Sequence, residues 1–301
     1  MTAYLVATLS VVVILTLAGL ALNVQWGMGG LVNFGLFGFY MLGAYVCALL
    51  TVNGVAPLAA MAAAVAATAA LSALVSLISV RLSEDYLAIV TLGFAECLRL
   101  AVIYEDWLTR GTLGVAGIAR PFAGMVPAQW SDALFLAFAV ALLVLVCGVV
   151  ALVSASPFGR LMRAVRDDPE VVASLGRSVT SIRLRGFALG GAITGLAGAL
   201  HAFYYTYIDP TQFTTIITAC AFMAVVIGGR GSNRGVVAAA VVLVFLLEGS
   251  RFAVDLFPGL DSATLAALRL IGMGVALTAL LIIRPAGFGR EQPTVRAAGA
   301  P

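Results

Sequence analysis

Residues 154–185 read SASPFGRLMRAVRDDPEVVASLGRSVTSIRLR and lie between two long apolar runs at about 132–153 and 186–208. The segment contains six arginines, whereas the two apolar runs contain no basic residue other than a single histidine. A stretch with this much charge is costly to keep in hydrocarbon, so the chain must leave the membrane here and then return. This contrast decides the fold, because it predicts membrane-crossing helices joined by a folded segment outside the bilayer.

The pattern within residues 154–185 predicts two short helices. Four apolar residues recur at the i, i+3, i+4 and i+7 positions of one helix face: Phe158, Leu161, Met162 and Val165. Asp168-Pro169-Glu170 is typical of a second helix start, with an N-cap, a proline at the first helical position and an acid in the first turn. Gly176 lies where this helix would end. Because so short a helix is marginal alone in water, we expect it to be held by docking.

The composition extends this picture to the whole chain. Of 301 residues, 62% are hydrophobic and only 10% are charged, and the mean hydropathy is +1.09. Apolar stretches near the roughly 20 residues needed to cross a bilayer recur along the sequence. We therefore predict an all-α, polytopic helical membrane protein with about 8–10 transmembrane segments, some of them broken or short. The predicted spans are 4–22, 28–50, 56–80, 86–104, 132–153, 186–208, 212–228, 235–252 and 264–283.

The reactive residues of the chain argue against a catalytic function. All 17 basic residues are arginine, which excludes the lysine of a nucleotide-binding P-loop and a lysine nucleophile. His201 is the single histidine, and the four cysteines lie singly in separate apolar segments. We expect no catalytic residues, no cofactor and no metal site, so the energy for any uphill transport would have to come from elsewhere. The net charge of +3 is modest, and no nucleic-acid partner is indicated.

Arginine placement predicts which loops face the cytoplasm. The segment 154–185 and the tail 285–301 are the arginine-rich connections, so both are predicted to be cytoplasmic. Four predicted spans separate them, and an even number is consistent with that assignment. The stretch 105–131 is then an external loop, either a docking face for an external partner or an ordinary capping loop. The glycine-rich stretch Trp26–Gly30 is a possible start of a broken helix.

Polar and glycine residues inside the predicted spans are candidates for a translocation pathway. Asn33 lies in the glycine-rich start of the second span, and Glu96 and Arg99 are spaced i, i+3 in the span 86–104. The charged residues either line the pathway or form an ion pair that fixes helix register. Gly228 and Gly229 begin the connection between two short apolar segments, which are either half-helices lining a cavity or full spans joined by a cytoplasmic turn.

Five groups of residues, taken in order, resemble a known family. They are DYLAIVTLGFAE at 85–96, PFGR at 157–160, AVRDD and ASLG at 164–176, GLAGA at 195–199 and GGRGS at 228–232. Together they resemble the M-type permease subunit of branched-chain amino acid ABC importers over roughly residues 20–290. The resemblance implies one permease domain over 1–301 in a bacterial inner membrane, translocating branched-chain or related amino acids.

The resemblance also implies partners and a coupling site. The partners are a second homologous permease, two cytoplasmic ABC ATPases and an extracytoplasmic solute-binding protein, all in or at the lipid bilayer. In the family, the cytoplasmic loop docks into a groove of the ATPase. The corresponding residues here are Arg163, Arg166, Asp168, Pro169, Glu170, Ala173 and Gly176.

Two departures from the family pattern bear on the solute. The second span lacks the histidine that the family often has, and TRGTLG at 109–114 stands where the family usually has Thr-Gly-Gly. Urea and short-amide importers share this permease type and are an alternative. The rival classes are an ion-coupled secondary transporter acting through Glu96 and His201, and a passive channel.

Overall fold

The computed structural model describes residues 2–79, 84–122, 127–252, 264, 271, 272, 274, 275, 278 and 289. The α-helices in these ranges are α1 Thr2–Leu22, α2 Leu36–Val52, α3 Pro57–Ser79, α4 Glu84–Tyr104, α5 Asp106–Thr109, α6 Ala128–Ala155, α7 Pro157–Asp167, α8 Pro169–Ser174, α9 Val179–Tyr205, α10 Thr215–Gly228 and α11 Asn233–Phe252. A π-helix at Asn23–Met28 continues α1, and two short 3₁₀ helices occupy Gly111–Leu113 and Pro210–Gln212. Strands β1 Val115–Ala116 and β2 Tyr207–Ile208 form an antiparallel pair.

The helix lengths and composition confirm a polytopic helical membrane protein. Within the described ranges, six helical stretches are long and apolar enough to cross a membrane: Tyr4–Met28, Pro57–Leu77, Tyr86–Tyr104, Trp130–Ala155, Val179–Tyr205 and Pro210–Gly228. Two further apolar helices are shorter, Leu36–Val52 and Asn233–Leu247. The predicted ninth span and the predicted tail lie almost entirely outside the described residues.

Helix α9 forms the centre of the bundle, and its glycines explain why. A Cβ atom at Gly195 would collide with the Thr68 side chain of α3, and one at Gly198 would collide with the backbone carbonyl of Tyr40 in α2. Small residues at this spacing let helix backbones approach closely where the hydrophobic effect gives no help. The glycine face of α9 is therefore in contact with two neighbouring helices, α2 and α3.

The predicted boundary of the second span is wrong at its start. We predicted a span over 28–50, but α2 begins only at Leu36, and residues 29–35 are not helical. Gly30 has a φ of +71°, a conformation that glycine adopts without steric cost and that a helix does not contain. Most of the break is buried in protein, including Asn33, which is the setting in which irregular backbone is tolerated at membrane depth.

The two short apolar segments after residue 212 differ from each other in length. Helix α10 has 14 residues, about 21 Å at 1.5 Å per residue. Helix α11 has 20 residues, about 30 Å by the same measure. Residues 229–232 join them in a tight turn. The tight turn agrees with the interpretation as two segments joined by a turn, whereas the apolar part of α11, Asn233–Leu247, is shorter than a full span.

Two contacts relate the loops to the ends of the bundle. Helix α9 carries the chain from residues 156–178 at one end to β2 at the other, and the pairing of Val115 with Ile208 brings the 105–122 region to that second end. Gly289 donates from its backbone N–H to the carbonyl of Gly228 at 2.9 Å. Residue 289 therefore lies beside the turn at 229–232.

Candidate functional site

The segment between α6 and α9 contains both short helices that the sequence predicts. Helix α6 continues to Ala155 and α9 starts at Val179, so the connection itself, here the α7–α8 segment, is residues 156–178. The Asp168 carboxylate caps α8 by accepting hydrogen bonds from the backbone N–H groups of Glu170 (2.9 Å) and Val171 (3.1 Å). Pro169 is the first residue of α8, and Gly176 follows its end with a φ of +75°. The predicted caps are confirmed because they depend on local chemistry.

One face of the α7–α8 segment is fixed against the bundle. Met162 is only 1% exposed and Val165 is equally buried, and both belong to the main hydrophobic core. A Cβ atom at Gly186 in α9 would lie 2.7 Å from Cε of Met162, so that glycine leaves room for the methionine. Arg163 donates from Nη2 to the carbonyl of Ser154 at 3.0 Å. The docking expected for these short helices is therefore partly to the protein itself.

The opposite face of the segment is exposed and partly apolar. Leu175 is 75% exposed, and Val171 is also exposed. Glu170, Ala173 and Gly176 lie on this outward side as well. Val171 and Leu175 are four residues apart, so these two exposed apolar side chains lie on the same side of the segment. The coupling candidates thus divide into inward Arg163 and Arg166, a capping pair Asp168 and Pro169, and the outward group Glu170, Ala173 and Gly176.

A buried polar network surrounds the break before α2. Gln25 of the π-helix donates from Nε2 to the carbonyl of Phe187 in α9 at 3.2 Å. Its Oε1 accepts from Nδ2 of Asn33 at 2.9 Å. Both amide side chains are fully buried. The Oδ1 atom of Asn33 accepts no hydrogen bond from the part of the chain that the structure describes, although buried acceptors are normally satisfied.

The π-helix is also tied to the turn between α10 and α11. Asn23 donates from Nδ2 to Oδ1 of Asn233 at 2.9 Å, and its own Oδ1 accepts from the backbone N–H of Gly231 at 2.9 Å. The guanidinium of Arg230 lies 5.0 Å from the ring centroid of Trp26, a cation–π distance. The candidates Gly228 and Gly229 belong to this turn, at the same end of the bundle as the α7–α8 segment.

Glu96 and Arg99 form the ion pair that their spacing predicts. Nε of Arg99 lies 2.7 Å from Oε2 of Glu96, and the two side chains remain 27% and 42% exposed, Arg99 being the less exposed. Gly93 lies on the same exposed side of α4, and a Cβ atom there would meet no atom within 4 Å. Lipid cannot hydrogen-bond a half-exposed ion pair. This side of α4 therefore requires water or protein as its neighbour.

The opposite end of the bundle contains contacts that the sequence analysis missed. Arg120 donates to the carbonyls of Phe203 (3.0 Å) and Tyr204 (2.8 Å) at the end of α9, and also pairs with Asp132 at 2.6 Å. These contacts attach the 105–122 region to α6 and α9. A loop arginine with a partner 12 residues away and two carbonyls more than 80 residues away gives no periodic or local signal, so the sequence alone did not reveal it.

Asp209 organises the turn between β2 and α10. Its carboxylate accepts hydrogen bonds from Thr211 and from Nε2 of Gln212 (2.8 Å). Partial burial acts to raise the pKa of Asp209, but these hydrogen bonds to the charged form outweigh it, so the pKa lies below its ordinary value. Gln212 in turn contacts Nε2 of His201 at 3.2 Å. His201 thus has a hydrogen-bonding partner within the fold.

Comparisons with known proteins converge on one family. The family model described as "Branched-chain amino acid transport system / permease component" matches residues 4–282. The high-affinity branched-chain amino acid transport system permease protein LivM of Salmonella typhimurium is 34% identical over 266 residues, which is 81% of this chain and 62% of the relative. LivM of Escherichia coli gives the same identity and coverage.

A more distant relative has a similar name. The probable branched-chain amino acid transport permease protein LivM of Methanocaldococcus jannaschii is 30% identical over 227 residues, covering 72% of this chain and 63% of the relative. The chain therefore spans less than two thirds of the length of these curated relatives. No solved structure matches the chain significantly.

Proposed function

This chain belongs to the family of permease components of branched-chain amino acid transport systems, and from that premise we propose that it is the membrane-spanning subunit of an ABC importer. Its solute is a branched-chain or related amino acid, moved across a bacterial inner membrane. Two cytoplasmic ATPases supply the energy, a second homologous permease completes the pathway, and an extracytoplasmic binding protein delivers the solute.

The observation that carries this proposal is the two-sided α7–α8 segment. Its inner face is fixed in the core by Met162 and Val165, while its outer face exposes Val171 and Leu175 beyond the end of the bundle. The exposed apolar residues of such a segment can bind in a groove of a partner protein. Because the inner face is packed in the core, a movement of the partner then displaces the bundle as well. We assign Glu170, Ala173 and Gly176 to contact with the ATPase, with Asp168 and Pro169 fixing the start of α8.

The ion pair on α4 supports a position for the pathway. Glu96 and Arg99 lie partly exposed in a predicted span. In α6, Asp132 at the start of the helix pairs with Arg120, and the exposed residues after it, which include Val144, Leu145 and Leu152, carry no charge. The face of α6 suits lipid, and the face of α4 suits a second permease with a wet pathway between the two subunits. Asn33, at the buried break, and Gly228 and Gly229, at the adjoining turn, belong to the moving parts of that pathway.

The transport cycle follows from these assignments. Binding of ATP closes the two ATPases and displaces the docked α7–α8 segments, and the helices change between outward-open and inward-open arrangements. Each arrangement is favoured by different contacts, so the nucleotide shifts the equilibrium only through its differential effect on the two states. The binding protein sets most of the solute specificity.

Reconstitution into proteoliposomes tests the proposal. We expect uptake of leucine, isoleucine or valine only when the second permease, the ATPases, the binding protein and ATP are all present. Uptake by this chain alone that a protonophore abolishes would support an ion-coupled secondary transporter instead. Downhill flux without ATP would support a channel, and preferential uptake of urea in competition with leucine would identify a short-amide importer.

A further inference from the structure

Arg166 faces into the protein, although it lies in the segment that we assign to the ATPase. Its side chain is only 14% exposed, and Nη1 donates to the backbone carbonyl of Gly27 at 2.5 Å. Nε of the same guanidinium lies 3.0 Å from Oδ1 of Asp167. A charge-assisted bond to a backbone carbonyl of the π-helix is a strong and directional contact. It joins α7 to a part of the chain 139 residues away.

The contact is close along more than one turn of α7. A Cβ atom at Gly30 would lie 2.9 Å from Cγ and 3.2 Å from Cα of Arg166, so only glycine lets the two backbones approach this far. One turn earlier, Cε of Met162 lies 3.4 Å from the corresponding position at Gly29. Helix α7 therefore rests directly on residues 27–30, and a displacement of one cannot leave the other unmoved.

The π-helix that receives this contact is also bonded to α9 through Gln25 and to the turn between α10 and α11 through Asn23. A π-helical turn has i→i+5 hydrogen bonds and is frequent at functional sites. Gln25 lies within this turn, and its Oε1 atom accepts a hydrogen bond from Nδ2 of Asn33. A rearrangement of the turn therefore changes where the Asn33 side chain lies.

Asn33 has an acceptor that the described structure leaves without a partner. The residue is fully buried, and Oδ1 accepts no hydrogen bond from any described residue. An unsatisfied buried acceptor costs free energy, so an arrangement that supplies it with a donor is favoured to that extent.

We propose that Arg166 is a positioning residue that transmits the displacement of the α7–α8 segment to the π-helix, and through Gln25 to Asn33 in the membrane interior. Arg166 does so without contacting the ATPase itself. The inference rests on the proposed function, because it requires that an ATPase displaces α7. It separates two roles within one segment, since the outward residues receive the ATPase and Arg166 passes the movement inward.

Trp26 provides a direct readout of the π-helix. The chain has three tryptophans, and Trp107 and Trp130 are 81% and 60% exposed, so both can be replaced by phenylalanine. In the assembled importer we expect a non-hydrolysable ATP analogue to shift the emission of Trp26. We expect Arg166→Ala to reduce that shift by more than half while ATP hydrolysis and ATPase binding persist.

Transport and matched variants complete the test. We expect Arg166→Ala to lower solute transported per ATP hydrolysed by about tenfold, within the 5- to 150-fold range of typical coupling. Arg166→Lys, which keeps the charge and one donor, should be intermediate and provides the test if the alanine variant does not fold. Arg160→Ala is the control, since Arg160 is an exposed arginine of α7 that bonds to the carbonyl of Ala155, and we expect no effect.

Three outcomes would overturn the inference. If Arg166→Ala kept the full Trp26 response and normal transport per ATP, the contact with Gly27 would transmit nothing. If Arg166→Ala abolished ATPase binding, Arg166 would be part of the docking surface. If the unsubstituted chain bound its ATPases and transported solute but gave no Trp26 response, the π-helix would not be the moving element. A chain that bound no ATPase at all would overturn the proposed function itself.

Discussion

Gly30 and Gly54 separate the cost of backbone strain from the cost of a steric collision. Both have positive φ values, +71° and +86°, so alanine is strained at either position. Nothing lies within 4 Å of a Cβ atom at Gly54, whereas one at Gly30 would meet Arg166 at 2.9 Å. We expect Gly54→Ala to lower the free energy of unfolding by about 1 kcal/mol and Gly30→Ala by about 1–3 kcal/mol more.

Thermal unfolding of the purified chain in detergent, followed by circular dichroism, measures this difference. The two variants carry the same substitution, so their difference isolates the contact of residues 27–30 with α7. Equal unfolding midpoints for the two variants would mean that the Arg166 side chain moves aside without loss of stability. The close contact of residues 27–30 with α7 would then not force the two to move together.

Asp168 is the second residue whose role is local and separable. Its Oδ1 atom accepts two backbone N–H groups at the start of α8. Replacement by alanine removes the cap and should cost about 1 kcal/mol, which is a large fraction of the stability of a helix of six residues. We expect Asp168→Ala to speed amide hydrogen exchange in residues 169–174 by about fivefold, and to weaken ATPase binding.

Asp168→Asn is the matched control for the cap. Asparagine keeps an acceptor oxygen and is an equally good N-cap, so exchange in α8 should stay close to that of the natural chain. If asparagine were as damaging as alanine, the negative charge of Asp168, rather than its hydrogen bonds, would be what the segment requires.

At the scale of whole helices, α4 and α6 offer a second matched pair. Gly93 and Gly148 each lie exposed in a span, and a Cβ atom at either would meet nothing within 4 Å. Only α4 carries an ion pair near its glycine, so we assign α4 to the second permease and α6 to lipid. We expect Gly93→Leu to abolish co-purification of the second permease, because the larger side chain prevents close helix packing. Gly148→Leu should leave assembly and transport unchanged, because a leucine side chain is as apolar as the lipid tails around it.

Co-purification through a tag on this chain, followed by uptake in proteoliposomes, checks the pair. Assembly that survives Gly93→Leu but fails with Gly148→Leu would exchange the roles of the two helices. If both leucine variants assembled and transported normally, neither exposed glycine face would contact the second permease.

The same scale shows what the sequence could and could not predict. The caps of α8 were predictable because Asp168, Pro169 and Gly176 act within a few residues of themselves. The break at 29–35 was only suggested, since glycines next to an apolar run are equally compatible with a packed helix. Its outcome depends on long-range partners such as Phe187 and Asn233, which no local pattern reveals. The contacts of Arg166 and Arg120 could not be predicted from the sequence for the same reason.

For the molecule as a whole, the deciding question is whether the α7–α8 segment couples ATP hydrolysis by another protein to movement of this chain. Ala173 lies exposed on the outward face, and Ala56 lies exposed in the turn between α2 and α3, at the opposite end of the bundle. Tryptophan at Ala173 would fill space that the ATPase groove must occupy, whereas tryptophan at Ala56 would lie at the other end of the bundle, away from that groove.

We therefore expect Ala173→Trp to reduce ATP-dependent uptake by at least about tenfold, equivalent to about 1.4 kcal/mol or more of lost docking free energy. Ala56→Trp should leave ATP-dependent uptake within about twofold of that of the natural chain, as expected for surface substitutions. Uptake in proteoliposomes and pull-down of the ATPases, each compared at equal amounts of folded chain, distinguish lost docking from lost folding. A tryptophan side chain cannot be added to a packed interface without a loss of binding free energy. If Ala173→Trp bound the ATPases and transported like the natural chain, the outward face of α8 would therefore not be the surface that contacts the ATPase.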